Sequence, residues 1–291
     1  MSPADVLTLT EQLTERDVAI LRTLRAHRLA TTTQLQRWHF PAGQPGTFAD
    51  RKTALRVSQR VLRRLEKHRL VARLYQRIGG VRRGSDSMVW QLDARGDRLL
   101  AVVDGDKRRR YVEPRKAFIA HSIAVTELAT QLIEAKADGR LEAVSLTGEP
   151  SNWKRFNGLH GRMEVLKPDL QAVTAYGDFE DHWLLELDRA TEHPSVIVRK
   201  AQIYERYANS GAYQAENDVF PAVLWVVTDE ARQHALQRAL RSARHLNDEA
   251  HRIVTEAKFL PTVLAGRDPQ ISNQPHPVVD PQLLKGDDHD H

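Results

Sequence analysis

The stretch from Lys167 to Tyr207 constrains the fold of this chain more than any other. It opens with Lys167-Pro168-Asp169-Leu170 and runs through an apolar segment ending Leu184-Leu185-Glu186-Leu187-Asp188. It closes on Arg199-Lys200-Ala201-Gln202, leading to Tyr204 and Tyr207. Leu170 to Tyr176 reads as a strand of mixed alternation, and the more continuously apolar His182 to Leu187 as a buried strand. A helix is expected from about Ser195 to Asn209. Side chains two apart on a strand share a face, so Glu186 and Asp188 are expected to project together. With Asp169 on a neighbouring strand they make an acidic cluster, and hard oxygen donors of this kind hold Mg²⁺ or Mn²⁺. A lysine close by, Lys200, stabilises developing negative charge or helps to position a water. Against this stands the plainer reading, a strand pair whose acidic ends are merely solvated.

A chain of 291 residues has room for two domains with cores of their own. No apolar run approaches the length of a membrane span. The first residues, Met1-Ser2-Pro3-Ala4-Asp5, do not read as a signal peptide. Cysteine is absent, which excludes disulfides and thiolate metal sites and fits a reducing cytoplasm. The net charge of +5 conceals an asymmetry. Residues 1–117 hold 25 Lys and Arg against 12 Asp and Glu, or +13; the remainder holds 18 against 26, or −8. A basic half joined to an acidic half points to one part that grips a polyanion.

Along the chain, Thr14-Glu15-Arg16-Asp17 reads as a helix start, with Val18, Leu21 and Leu24 following at helical spacing. A second short helix begins around Ala30 to Leu35 and ends at Pro41. A third runs from Arg51 to His68, with Leu55, Ser58, Val61, Leu62 and Leu65 on one face. Lys52, Arg56, Arg60, Arg63 and Lys67 recur at steps of three or four on another face. Leu70 to Tyr75 and Met88 to Leu92 read as a β-hairpin with a glycine-rich tip, Gly79 to Ser85, carrying Arg82 and Arg83. Three helices and such a hairpin describe a winged helix-turn-helix over 14–103. Its third helix would enter the major groove and its wing would reach the backbone of double-stranded DNA; the plainer reading of that helix is a solvated basic face. A basic linker is expected over 104–117, containing Lys107-Arg108-Arg109-Arg110. Then come a helix from Phe118 to Lys136, a strand from Leu141 to Leu146, the two strands above and the Lys200 helix. An apolar strand from Ala222 to Thr228, a helix from Glu230 to Leu246 and a last strand from Phe259 to Leu264 complete the order. The sum is a mixed α/β domain over 118–265 in a chain that is α+β overall. Residues 266–291, ending Asp287-Asp288-His289-Asp290-His291, are expected to be disordered.

An α-β-β-β-α-β order with Pro168-Asp169 at its second strand and Glu186-Leu187-Asp188 at its third resembles the core of PD-(D/E)XK, restriction-endonuclease-like nucleases. Asp188 stands where that pattern has a lysine, and Lys200 on the next helix supplies one instead. The set "KPDL", "WLLELDRATE", "VRKAQIYERY" and "VLWVVTDEARQHAL" behind a winged helix resembles the replication-relaxation proteins over about residues 14–265. Those proteins occur on plasmids and integrative elements of actinobacteria and firmicutes and are similar to MOBC-type relaxases. The resemblance implies a cytoplasmic protein that binds the origin or transfer site of a mobile element. It implies catalysis by Asp169, Glu186, Asp188 and Lys200, the three carboxylates being ligands of Mg²⁺ or Mn²⁺. Other replication or conjugation proteins are implied partners.

Glu127 and His121 lie on the Phe118 helix, where related nucleases sometimes place an extra acid; they read as a surface residue and a satisfied helix-face histidine. Tyr204 and Tyr207 read as packing against the sheet rather than as nucleophiles. The histidine cluster of the commoner relaxases and a glycine-rich nucleotide loop are both missing. Two functions remain: a metal-dependent DNA nickase, and a non-catalytic DNA-binding regulator whose nuclease fold is a scaffold.

Overall fold

The computed structural model describes residues 9, 11–43, 47–74, 88–105, 116–158, 161–243, 246 and 250–266. The chain is a mixed α/β protein whose described strands form sheets of three, five and two.

The N-terminal part begins with α1 (Glu15–His27), β1 (Leu29–Thr31), α2 (Thr32–His39) and α3 (Arg51–Lys67). Local chemistry starts each helix. Thr14 and Asp17 form a reciprocal capping box on α1, and Thr31 and Gln34 form another on α2. The Asp50 side chain accepts from the Thr53 N–H to start α3. Strands β2 (Val71–Leu74) and β3 (Val89–Leu92) pair antiparallel, and β1 adds to the other edge of β3. The three helices bury Ile20, Leu21, Leu24, Leu35, Leu62 and Leu65 in one core with Trp90 of β3. The Trp90 indole N–H donates to Thr32 Oγ1 at 2.8 Å, so this large ring is buried with its polar atom satisfied. Helix α4 (Ala94–Val103), absent from the sequence-based order, packs its buried Leu99 and Leu100 into the same core. The hairpin tip with Arg82 and Arg83 lies outside the described residues, as do Lys107 to Arg110 and the segment from 267 onward.

Helix α5 (Lys116–Ala137) leads into the second part: β4 (Ala143–Gly148), β5 (Lys154–Asn157), β6 (Met163–Leu166), β7 (Leu170–Tyr176), β8 (Phe179–Asp188), α6 (Pro194–Asn209), α7 (Gln214–Asn217), β9 (Ala222–Val227), α8 (Glu230–Arg241), β10 (His251–Thr255) and α9 (Glu256–Ala265). The five-stranded sheet has the order β10-β9-β8-β7-β4. Strands β8, β9 and β10 run parallel, β7 pairs antiparallel with β8, and β4 pairs antiparallel with β7 at the edge. Both faces are covered, which is why β8 and β9 read as near-continuous apolar runs. Trp183, Leu185 and Leu187 face a core shared with Leu128 and Leu132 of α5 and Phe259 of α9. Leu184 faces the opposite core, with Ile197, Ala201 and Tyr204 of α6 and Leu236 of α8. The period-two alternation therefore aims Glu186 and Asp188 at the α6 side.

Two expectations are corrected. Phe259 to Leu264 is helix, not strand: it lies within α9, where Phe259 and Val263 are buried four residues apart, a helical spacing that its β-rich composition masked. The last strand is His251–Thr255 instead, where burial alternates although only two of the five side chains are aliphatic. Correspondingly α8 ends at Arg241 rather than at Leu246. The two-stranded ribbon β5–β6 also has no counterpart in the sequence-based order.

The two parts meet along α2 and α5. Arg37 of α2 donates to Glu127 Oε1 at 2.5 Å and holds Glu134 with a second pair of hydrogen bonds. Gln34 Nε2 donates to the Ile123 carbonyl at 2.9 Å, and Thr126 Oγ1 to the Leu29 carbonyl at 2.8 Å.

Candidate functional site

Antiparallel pairing of β7 with β8 sets Leu170 opposite Leu185, and the Asp169 N–H donates to the Leu185 carbonyl at 3.1 Å. The same register brings Asp169, just ahead of β7, beside Glu186. Asp169 Oδ2 accepts from the Leu187 N–H at 2.8 Å, which anchors its carboxylate across the strand pair. Its other oxygen lies 3.2 Å from His121 Nε2, which reaches in from the first turns of α5.

Glu186 is 2% exposed. Lys200 Nζ donates to its Oε2, and the Tyr204 hydroxyl donates to its Oε1 at 2.5 Å. Lys200 and Tyr204 stand four apart on α6, the spacing that puts two side chains on one face of a helix. His121, Asp169, Glu186, Lys200 and Tyr204 thus make one contiguous polar group, built from α5, β7, β8 and α6.

Asp188 is not brought into that group. It lies on the same face of β8, but Arg232 Nε of α8 donates to its Oδ2 at 2.5 Å and the Ala190 N–H donates to its Oδ1 at 3.0 Å. Glu127 faces α2 rather than the site, held by Arg37 and Gln34. Tyr207 packs on Phe156 at 5.2 Å between ring centroids.

The charges act on one another through a buried interior. Burial drives the Glu186 carboxyl up to about 8, with Asp169 adding to the rise and Lys200 and Tyr204 opposing it. Burial also pushes Asp169 up, but the His121 hydrogen bond, the Lys200 charge and the Leu187 N–H outweigh it and leave the carboxylate below its ordinary range. His121 is raised by the hydrogen bond to Asp169. Burial lowers Lys200, and the charges of Glu186 and Asp169 more than offset that, so Lys200 keeps its proton. Tyr204 is raised well above its usual value, first by burial and then by Glu186, so it acts here as a hydrogen donor.

Asp169 and Glu186 are neighbouring carboxylates, the donor type that a hard divalent ion takes, but Lys200 and Tyr204 already engage both Glu186 oxygens. Asp188 is likewise engaged, by Arg232 and Ala190, and stands apart from the other two. Among the described residues no three His, Cys, Asp or Glu side chains stand together as a ready-made metal site.

The N-terminal part presents a second feature. Lys52, Arg56, Arg60, Arg63 and Lys67 of α3 are all exposed, and among the described residues none carries an ion pair. Arg64, one position off the stripe, is the cation that turns inward, to the buried Asp17 at 2.5 Å.

Sequence reasoning read His121 as a helix-face histidine and Tyr204 as a packing residue, placed neither in the site, and did not name Arg232. Tyr204 carried a usable signal, its four-residue spacing from Lys200. His121 and Arg232 carried none, since their partners come from distant strands.

Among the described residues no helix is long and apolar enough to cross a membrane. Comparison with curated proteins and with solved structures finds no match. The model of the replication-relaxation family matches residues 21–223, a span that takes in α3 as well as Asp169, Glu186 and Lys200, and the chain accordingly belongs to the replication-relaxation family.

Proposed function

We propose that this chain binds double-stranded DNA at the origin or transfer site of a mobile genetic element and nicks one strand by metal-dependent phosphodiester hydrolysis. The observation that carries the reading is the meeting of Asp169, Glu186 and Lys200, brought together by β7, β8 and α6. In this reading residues 14–103 are a winged helix-turn-helix and residues 118–265 a PD-(D/E)XK nuclease-like domain, joined through 104–117. The exposed stripe on α3 faces the phosphates, with Arg82 and Arg83 of the hairpin tip extending it.

Asp169 and Glu186 would hold a Mg²⁺ or Mn²⁺ ion, with Asp188 further along the same face. Such an ion polarises the scissile phosphate and lowers the pKa of a water when bound. Lys200, protonated and anchored on Glu186, offsets negative charge as it builds on the phosphate oxygens. Tyr204 holds Glu186 in a fixed orientation by its hydroxyl hydrogen bond. Asp169 is oriented from both sides, by the Leu187 N–H and His121. Other replication or conjugation proteins would act on the nicked product.

A second reading, a non-catalytic DNA-binding regulator on a nuclease-like scaffold, is favoured by one observation: both Glu186 oxygens are already engaged by Lys200 and Tyr204. Supercoiled plasmid carrying the element's own origin, incubated with the protein and Mg²⁺ or Mn²⁺, separates the two. Nicked circles that disappear with Glu186→Gln support hydrolysis. Unchanged plasmid with intact DNA binding leaves the scaffold.

A further inference from the structure

A crevice opens where the end of α1 meets the start of α5. It is lined by Arg28, by Phe118 and His121, and by Gly148, Glu149 and Asp169. Asp169 and His121 belong both to this crevice and to the Glu186–Lys200 group, so the two adjoin at that pair.

Its walls are held close. A Cβ at Gly148 would stand 2.6 Å from the Ala26 carbonyl oxygen, so β4 passes against the end of α1 at a distance that only glycine allows. Arg28 follows immediately, with φ 65° and ψ −51°, a conformation disfavoured for any residue bearing a Cβ. Strained positions that persist at a cleft are places to look for function. The Arg28 side chain is 40% exposed, and its guanidinium lies 5.4 Å from the Phe118 ring centroid. Its ionic partner, Glu149 Oε2, is 3.6 Å away, too far for a hydrogen bond. The crevice therefore contains a cation steadied by an aromatic face, whose fork of N–H donors is not used up by a carboxylate.

We propose that Arg28 is a phosphate-binding residue for single-stranded DNA, holding the backbone of the strand that enters this crevice on its way to the Glu186–Lys200 group. The proposal rests on the DNA-acting reading above. A guanidinium matches a phosphodiester bidentately, and Phe118 restricts its orientation so that less freedom is lost on binding. Glu149 competes for the same group and is displaced by phosphate. The cationic stripe of α3 holds the duplex, and Arg28 holds the separated strand.

The test uses the full chain and a dT12 oligonucleotide, with binding followed by fluorescence anisotropy over a salt series. Arg28→Gly removes the guanidinium and relieves the backbone, so Tm is expected to stay level or rise. Affinity for dT12 should fall about three- to tenfold, with a salt slope smaller by roughly 0.7, the value for one lost phosphate contact on a single strand. Glu149→Gln should tighten dT12 binding. An Arg28→Gly chain with wild-type affinity and slope overturns the proposal. So does an equal loss of Tm in Arg28→Gly and Glu149→Gln with no gain of affinity in the latter, because Arg28 would then be a structural ion-pair partner. Duplex affinity of an Arg60→Glu, Arg63→Glu chain is the separate measure of the DNA reading: if it is unchanged, that reading fails, whatever dT12 shows.

Discussion

The Tyr204 hydroxyl donates to Glu186 Oε1 at 2.5 Å, and both residues are almost wholly buried. A carboxyl group in such a place needs donors, and α6 supplies two of them four residues apart, Lys200 and Tyr204. Tyr204→Phe keeps the ring, with its edge contact to Trp225, and deletes only the hydroxyl. One buried oxygen of Glu186 then loses its donor, at a cost of about 1–3 kcal/mol. Thermal or denaturant unfolding should register that loss, while duplex DNA binding should not change.

Lys200→Ala removes the cation beside Glu186 and Asp169. If the site hydrolyses DNA, nicking of origin plasmid should fall by about 100-fold, the scale of a lost transition-state charge partner. Duplex binding should persist, since the α3 stripe lies in the other part of the chain. A variant that nicks at the wild-type rate removes Lys200 from the chemistry.

Charge reversal at Arg56, Arg60 and Arg63 should abolish measurable duplex binding at physiological salt. Single neutral substitutions such as Arg60→Gln should each reduce the slope of log affinity against log salt by about 0.9 where the side chain meets a phosphate. Arg64→Gln serves as contrast: it should cost stability by removing the cation from the buried Asp17, which among the described residues keeps only its Thr14 N–H donor, and leave the slope nearly unchanged. Equal slopes for all variants would place the DNA surface elsewhere.

His27 and His39 should cost the fold stability on mild acidification. Burial lowers both His27 and His39 from 6.5 to about 4, with the Arg16 charge contributing at His39. Between pH 6.5 and 4 the unfolded chain binds protons that the folded chain refuses, so folding loses free energy as pH drops through that window and is unaffected by these groups above it. Glu186, raised to about 8, works in the opposite direction over the same range, so the readout is a difference: between pH 7.5 and 4.5 the His27→Gln, His39→Gln chain should lose less Tm than the wild type. A curve as steep in the double variant assigns the acid sensitivity to other groups.

Much of the local structure was readable in the residues themselves. Thr14, with acidic residues in the turn behind it, announces the start of α1, because capping is chemistry between neighbours in sequence. The stripe from Lys52 to Lys67 and the shared face of Glu186 and Asp188 follow from the helix and strand periods alone. Where periodicity was short or contradicted by composition, reading failed: Phe259 to Leu264 has the residue types of a strand and the burial spacing of a helix, and the core decided between them.

The site divides along the same line. That Asp169, Glu186 and Lys200 belong together was visible from the order of elements. Which side chains complete the group was settled only by tertiary packing. Arg232, 44 residues after Asp188, takes that carboxylate because Leu236 and Leu240 of α8 pack into the same core as Leu184 of β8. His121 reaches Asp169 because α5 is drawn onto the opposite face of the sheet by Leu128 and Leu132. Sequence encodes the periods and caps of each element, since these depend on neighbours a few residues apart. The partners of a buried charge depend on which faces the core brings into contact, and that is a property of the whole fold.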